Sequence, residues 1–166
     1  MAIRWDDIES STMNPADYLD YVEKDTKLKE NYNQYSPNEE ILDKISNIIT
    51  KKNEKVNLLA IGAEWCKDCA KQVPAMLKIA NSLENDIFHF EILYGVKTNP
   101  FHKEDEPLWH EKHSPPEATD PRFALEAIPT FYIFTKEGTY LGRIVEGPED
   151  KKTLEEEILE ILEKDL

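Results

Sequence analysis

One stretch restricts the fold more than any other: VNLLAIGAEWCKDCAKQVPAMLKIANSLENDIFHFEIL, residues 56–93. Its opening at 56–61 is a short apolar run that reads as a central strand. Gly62 and Ala63 leave that strand, and Ala70, Val73, Met76, Leu77, Ala80 and Leu83 then recur with the spacing of a helix that buries one side. Pro74 falls inside this pattern and predicts a kink, because it has no N–H for the intrahelical bond and crowds the preceding turn. Partial alternation over 87–93 reads as a second strand. Strand, helix and strand in this order favour a parallel pair joined by a right-handed crossover.

The flanks extend this unit. Upstream, Ser36 is placed to cap a helix, with Pro37 in its first turn, Glu39 completing a capping box, and Ile41, Ile45, Ile48 and Ile49 as the buried stripe. Before it, Leu19, Val22 and Leu28 define one weakly amphipathic helical face near a start at Pro15. Downstream, FYIF at 131–134 and TYLGRIVEG at 139–147 read as an antiparallel hairpin turning at KEG, 136–138. A C-terminal helix follows from Leu154, Ile158, Ile161 and Leu162, with Glu155, Glu156 and Glu157 expected to face water. The expected architecture is α/β: a mixed central sheet with helices on both faces in a three-layer sandwich.

A chain of 166 residues, 40% hydrophobic and 33% charged, suits one domain with a substantial core. That domain is expected to span 1–166, with 1–35 as a helical extension packed on it and 95–121 as an inserted irregular loop. The insertion holds prolines at 100, 107, 115, 116 and 121 with no persistent period, and short turns or a small helix are expected near 106–113. A net charge of -14 disfavours binding to nucleic acid or an anionic membrane surface. No apolar run of 18 residues occurs and the N-terminus lacks a signal-peptide core, so a cytoplasmic protein is expected.

Both cysteines lie in AEWCKDCAK, two residues apart. At the first turn of a helix such a spacing brings the sulfurs to one side, within reach of a disulfide. Unpaired N–H groups and the positive helix end stabilise a thiolate at Cys66, making it the attacking thiol and Cys69 the resolving one. Lys67 assists a thiolate, whereas Glu64 and Asp68 oppose it. Trp65 offers a rigid apolar surface for a partner or packs locally.

From Val56 onward the chain resembles the thioredoxin superfamily: WCKDC at 65–69 matches its Trp-Cys-x-x-Cys motif, Pro74 its helix proline, Ile-Pro-Thr at 128–130 its cis-proline segment, and Gly142 a glycine of its last strand. The resemblance implies a thioredoxin-like sandwich with Pro129, after a cis bond, opposite Cys66, and backbone groups of Ile128 and Thr130 receiving an extended substrate. It implies a thiol–disulfide oxidoreductase acting on disulfide-containing proteins and recharged by an upstream thiol reductant, with no cofactor and no resident metal. Three features depart from the pattern: Lys67 and Asp68 replace Gly-Pro between the cysteines, Ala60 stands where a buried aspartate is customary, and the loop before the proline segment is long. Glu91 or a loop acid is the candidate replacement carboxylate.

Within the insertion Trp109 is the first candidate for substrate contact, and Arg122 either attracts an acidic partner or pairs with a nearby acid. Two other functions fit the same residues. One is a noncatalytic docking module; the other is a zinc site joining Cys66 and Cys69 to His110 and His113.

Overall fold

The computed structural model describes residues 3–149 and 152–166 of the chain. After a 3-10 turn at Trp5–Asp7 come helices α1 (Pro15–Glu23), α2 (Thr26–Gln34) and α3 (Glu39–Lys52), strand β1 (Val56–Ile61), helix α4 (Lys67–Ser82) and strand β2 (Phe88–Leu93). Helix α5 (Pro116–Thr119), strands β3 (Thr130–Thr135) and β4 (Tyr140–Val145), and helix α6 (Leu154–Asp165) complete the order.

The four strands form one mixed sheet in the order β2-β1-β3-β4. β1 and β2 run parallel, as their crossover through α4 requires, while β1/β3 and β3/β4 are antiparallel. Ile61 is paired with Leu93 on one side and Thr130 on the other, and Thr130 with Val145. Residues just beyond these positions, Gly62, Tyr94, Pro129 and Glu146, therefore gather at one end of the sheet.

Strand alternation assigns the faces. A Cβ placed on Gly62 would meet Cys69 Sγ of α4 at 2.8 Å, and one on Gly142 would meet Ile161 of α6 at 3.0 Å. Both glycines lie on the Leu58 side of the register, so α4 and α6 cover the same face. α3 packs against α6, and α1 and α2 pack against α4. The opposite face is met by Trp5, edge-on to Phe134 and His89, and by Phe123, edge-on to Tyr132. Helical elements thus flank both faces, the long ones on one side and the 3-10 turn and α5 region on the other.

Three local expectations are corrected, and the choice between turns and a small helix at 106–113 is decided. The single face expected from Leu19, Val22 and Leu28 belongs to two helices, because Asp25 caps a new one by accepting the Leu28 N–H at 3.0 Å. α3 is capped by Asn38, whose side chain takes the Ile41 N–H, and not by Ser36; its buried residues are Leu42, Ile45 and Ile49. No helix forms at 106–113, since the Asn99 N–H donates to Leu108 O at 2.8 Å and the His110 N–H to Lys97 O at 2.7 Å, folding the segment back as a hairpin-like arm; the short helix comes later, as α5. Glu155 does not face water: it is 1% exposed and accepts the Tyr35 hydroxyl and, at 2.7 Å, the Asn38 N–H.

That last arrangement has a counterpart across the molecule. Glu117 of α5 is 2% exposed and accepts the Glu9 N–H at 2.7 Å, the Ser10 N–H at 3.0 Å and the Ser10 hydroxyl at 2.6 Å. Each buried carboxylate fastens a peripheral segment by hydrogen bonds, the arrangement under which a buried charge is tolerated.

Candidate active site

Cys66 is the N-cap of α4, where φ of -85° and ψ of 123° turn the chain out of the strand exit and into the helix. The Cys69 N–H donates to Cys66 Sγ at 3.2 Å, so the sulfur takes the place that a serine or aspartate oxygen holds at an ordinary cap. The Cys66 thiol also reaches the Ile128 carbonyl at 3.6 Å. The bond between Ile128 and Pro129 is cis, and the Glu146 N–H donates to Pro129 O at 2.6 Å, fastening the end of β4 to this segment.

The two thiols are unbridged and unequal. Cys66 is 8% exposed, whereas Cys69 has no exposed surface. Burial, followed by its contact with Cys66, pushes the Cys69 thiol well above the ordinary range. Behind it stands an aromatic pair: a Cβ on Gly62 would lie between Cys69 Sγ at 2.8 Å and the Tyr94 ring at 3.1 Å. The Tyr94 and Tyr18 hydroxyls are 2.9 Å apart, and burial raises both above the usual phenol range. Ala60 is fully buried within β1 and carries no carboxylate. Glu91 pairs with Leu59 in the register, on the face opposite to Gly62 and Cys69, and its Oε1 lies 3.4 Å from His89 Nε2.

A cleft of about 420 Å³ opens over Cys66, lined on one side by Trp65, Lys67, Asp68 and Ile128 and on the other by Thr98, Leu108 and Trp109. The Trp65 indole N–H donates to Val96 O at 2.8 Å, which holds the ring while leaving the residue 51% exposed. Trp109 is buried and donates to Leu125 O at 2.7 Å, so it serves as wall rather than as projecting contact. Thr130 is fully buried, its hydroxyl donating to Ala127 O at 2.7 Å.

Cys69, Pro129 and Thr130 are buried and outside the cleft lining, and two exposed candidates lie apart from it. Arg122 is held between Asp120 at 2.7 Å and Asp7 at 3.0 Å, exposed at the surface. Glu64 is exposed on another side, where its charge adds to burial in raising the Tyr21 hydroxyl. Among the described residues no group of three or more His, Cys, Asp or Glu side chains converges as a metal site requires; the rings of His110 and His113 lie 4.5 Å apart, tilted by 44°.

Sequence reasoning missed Glu126 and Glu146, which also line the cleft. Hairpin arithmetic held the signal for Glu146: with Val145 opposite Thr130, the next residue must fall beside Pro129. Leu108 carried no signal, because the back-folding of the arm depends on backbone pairs that no periodicity announces.

A family model described as thioredoxin matches residues 14–93, which include both cysteines but not Pro129. No curated protein matches the chain. Among solved structures, a protein of unknown function from Pseudomonas aeruginosa is similar at a TM-score of 0.61 and 16% identity, over 99% of both chains. An HIV epitope-scaffold is similar at 0.54 and 17% identity, over 90% of this chain and 93% of that one. Fasciola hepatica thioredoxin aligns at 0.41 and 15% identity, over 74% of this chain and 91% of that one. Residues 14–93 thus match a thioredoxin model, and the closely spaced cysteines within that stretch point toward redox chemistry.

Proposed function

We propose that this protein is a thiol–disulfide oxidoreductase that reduces disulfides in protein substrates through a Cys66–Cys69 dithiol/disulfide cycle. The observation that carries the reading is the asymmetry of the pair: Cys66 Sγ caps a helix at the cleft and accepts an N–H at 3.2 Å, while Cys69 waits fully buried behind it. A capping sulfur beside helix N–H groups is disposed to carry negative charge.

In the reducing direction the Cys66 thiolate attacks one sulfur of a substrate cystine. A mixed disulfide forms, and the other substrate sulfur leaves as a thiolate that takes up a proton. Cys69 then loses its proton and attacks Cys66 Sγ, forming the Cys66–Cys69 disulfide and releasing the second substrate sulfur. Two electrons pass from the enzyme dithiol to the cystine, and an external dithiol reductant, protein or small molecule, restores the pair. A cytoplasmic setting would supply such reductants. Trp65, Ile128, Pro129 and Thr130 form the substrate side of the reading, with Lys67 and Asp68 adjusting the local field.

Trapping tests it. Cys69→Ser protein should accumulate a mixed disulfide through Cys66 when given an oxidised protein substrate, seen by mass spectrometry of the linked peptides. Substrate retention that is the same after both cysteines are replaced would overturn the reading in favour of a noncatalytic docking module.

A further inference from the structure

The cleft is unevenly charged in a way that the exchange chemistry itself does not require. We infer that it selects cystines lying next to Lys or Arg in a polypeptide, an inference that rests on the redox reading above and names its substrate class.

Three carboxylate side chains line the cleft, Asp68, Glu126 and Glu146, against the single ammonium of Lys67. All four residues are exposed, and among the described residues none of them is engaged in an ion pair. Their charge is therefore presented to whatever enters. The chain's net charge of -14 adds a field of the same sign, and a concave surface with apolar walls concentrates such a field.

A second feature, independent of the acids, also favours a cation. Trp65 is 51% exposed, and its N–H is already committed to Val96 O, so the indole cannot use that donor toward a substrate. What it offers is a fixed π-face at the cleft, the preferred partner of a guanidinium or ammonium. A basic side chain beside the substrate cystine can lie over Trp65 with its charge among the carboxylates while the cystine sulfur approaches Cys66 Sγ. Leu108, 40% exposed on the facing arm, closes the other side with apolar surface. An anionic small disulfide is repelled by the same field and has nothing to set against Trp65.

The electron balance is that of the cycle above: two electrons and two protons reach the substrate cystine, and the enzyme dithiol becomes the Cys66–Cys69 disulfide. Selection acts before that step, on the encounter and on the seating of the cystine.

The test uses pre-reduced full-length protein in single turnover, with three disulfide peptides of equal length carrying basic, neutral or acidic residues beside the cystine. At low salt the basic peptide should oxidise the protein faster than the neutral one by about tenfold, and the acidic peptide should be slowest. Rising salt should compress the spread, and an E126Q/E146Q variant should narrow the ratio between basic and neutral peptides. Equal rates for the three, or a preference untouched by the double variant, overturns the inference while leaving the oxidoreductase reading intact. Binding of the basic peptide with serine in place of its cysteines, followed by fluorescence anisotropy, separates the two further. Charge-selective binding without any Cys66-dependent oxidation removes the redox reading and keeps the selectivity, whereas binding indifferent to charge removes the selectivity.

Discussion

The two walls of the cleft are built by different means. One is set by regular structure: the end of β1 delivers Cys66 to the cap of α4, and the register of β1, β3 and β4 brings Ile128, Pro129 and Glu146 beside it. The other is the arm, with Leu108 and Trp109 carried on a back-folded segment fastened by a few polar contacts, chiefly Trp109 to Leu125 and Glu117 to residues 9 and 10. Sheet-and-helix construction suits chemistry that needs fixed sulfur geometry. A wall held at discrete points can be altered without touching that geometry, so damage on the two sides should separate into lost chemistry and lost stability or selection.

The sharpest way to break this comparison is at Cys66. Cys66→Ser should reduce exchange with a disulfide substrate to the buffer background, measured by single-turnover oxidation, while the melting temperature stays near that of the wild type; residual Cys69-driven turnover would contradict the division of roles. On the arm side, Glu117→Ala removes the acceptor of three donors and should cost about 2–3 kcal/mol in denaturant unfolding. A loss under about 0.5 kcal/mol, the range of an ordinary surface substitution, would show that the strap is incidental.

Gly62→Ala probes the seam between the cysteines and the sheet. The added Cβ would sit 2.8 Å from Cys69 Sγ, so overpacking of about 1–3 kcal/mol is expected together with a changed reduction potential for the pair. An unchanged potential would mean that Sγ moves aside freely. Acid provides a graded version of the arm experiment. Burial alone would raise the Glu117 carboxyl, but the Ser10 and Glu9 donors outweigh it and hold the group below the ordinary glutamate range. A carboxyl whose folded value is depressed stabilises fully above the ordinary value of about 4.3, and that contribution is lost as pH falls through the lower folded value. Wild type should therefore lose stability over that window relative to Glu117→Gln, read from unfolding free energies against pH. Smallest of all, Leu108→Ala should change stability by less than about 0.5 kcal/mol and slow only peptide disulfides, leaving a small neutral disulfide unaffected.

Legibility in the sequence followed the same division. β1 matched its apolar run, the crossover helix matched its stripe, and the hairpin matched its turn at Gly138, where φ of 105° makes a glycine apt. The mixed sheet with helical elements on both faces is the architecture that these patterns implied. Glu155 was misread as a solvated charge because composition cannot show that Tyr35 and Asn38 will come to it from another helix junction. The arm's sequence fitted turns or a small helix alike for a similar reason, since its pairing partners lie on the far side of a run containing Pro100 and Pro107.

At the site, the motif and its spacing sufficed to propose which sulfur attacks and which resolves. They could not supply the setting behind Cys69, where Tyr94 and Tyr18 stand near the thiol and Ala60 brings no acid. Nor could they supply the acidic lining of the cleft.

Period and punctuation along the chain determined the strands, the crossover and the strand-to-helix cysteine junction, because those depend on neighbours within a few turns. Tertiary structure alone decided which carboxylates are buried, which wall faces Cys66 and which charges share its cleft. The buried carboxylates depend on contacts between residues more than a hundred positions apart, Glu117 with Glu9 and Glu155 with Tyr35, and the cleft walls on pairings across the sheet and along the arm, all set by how the layers pack.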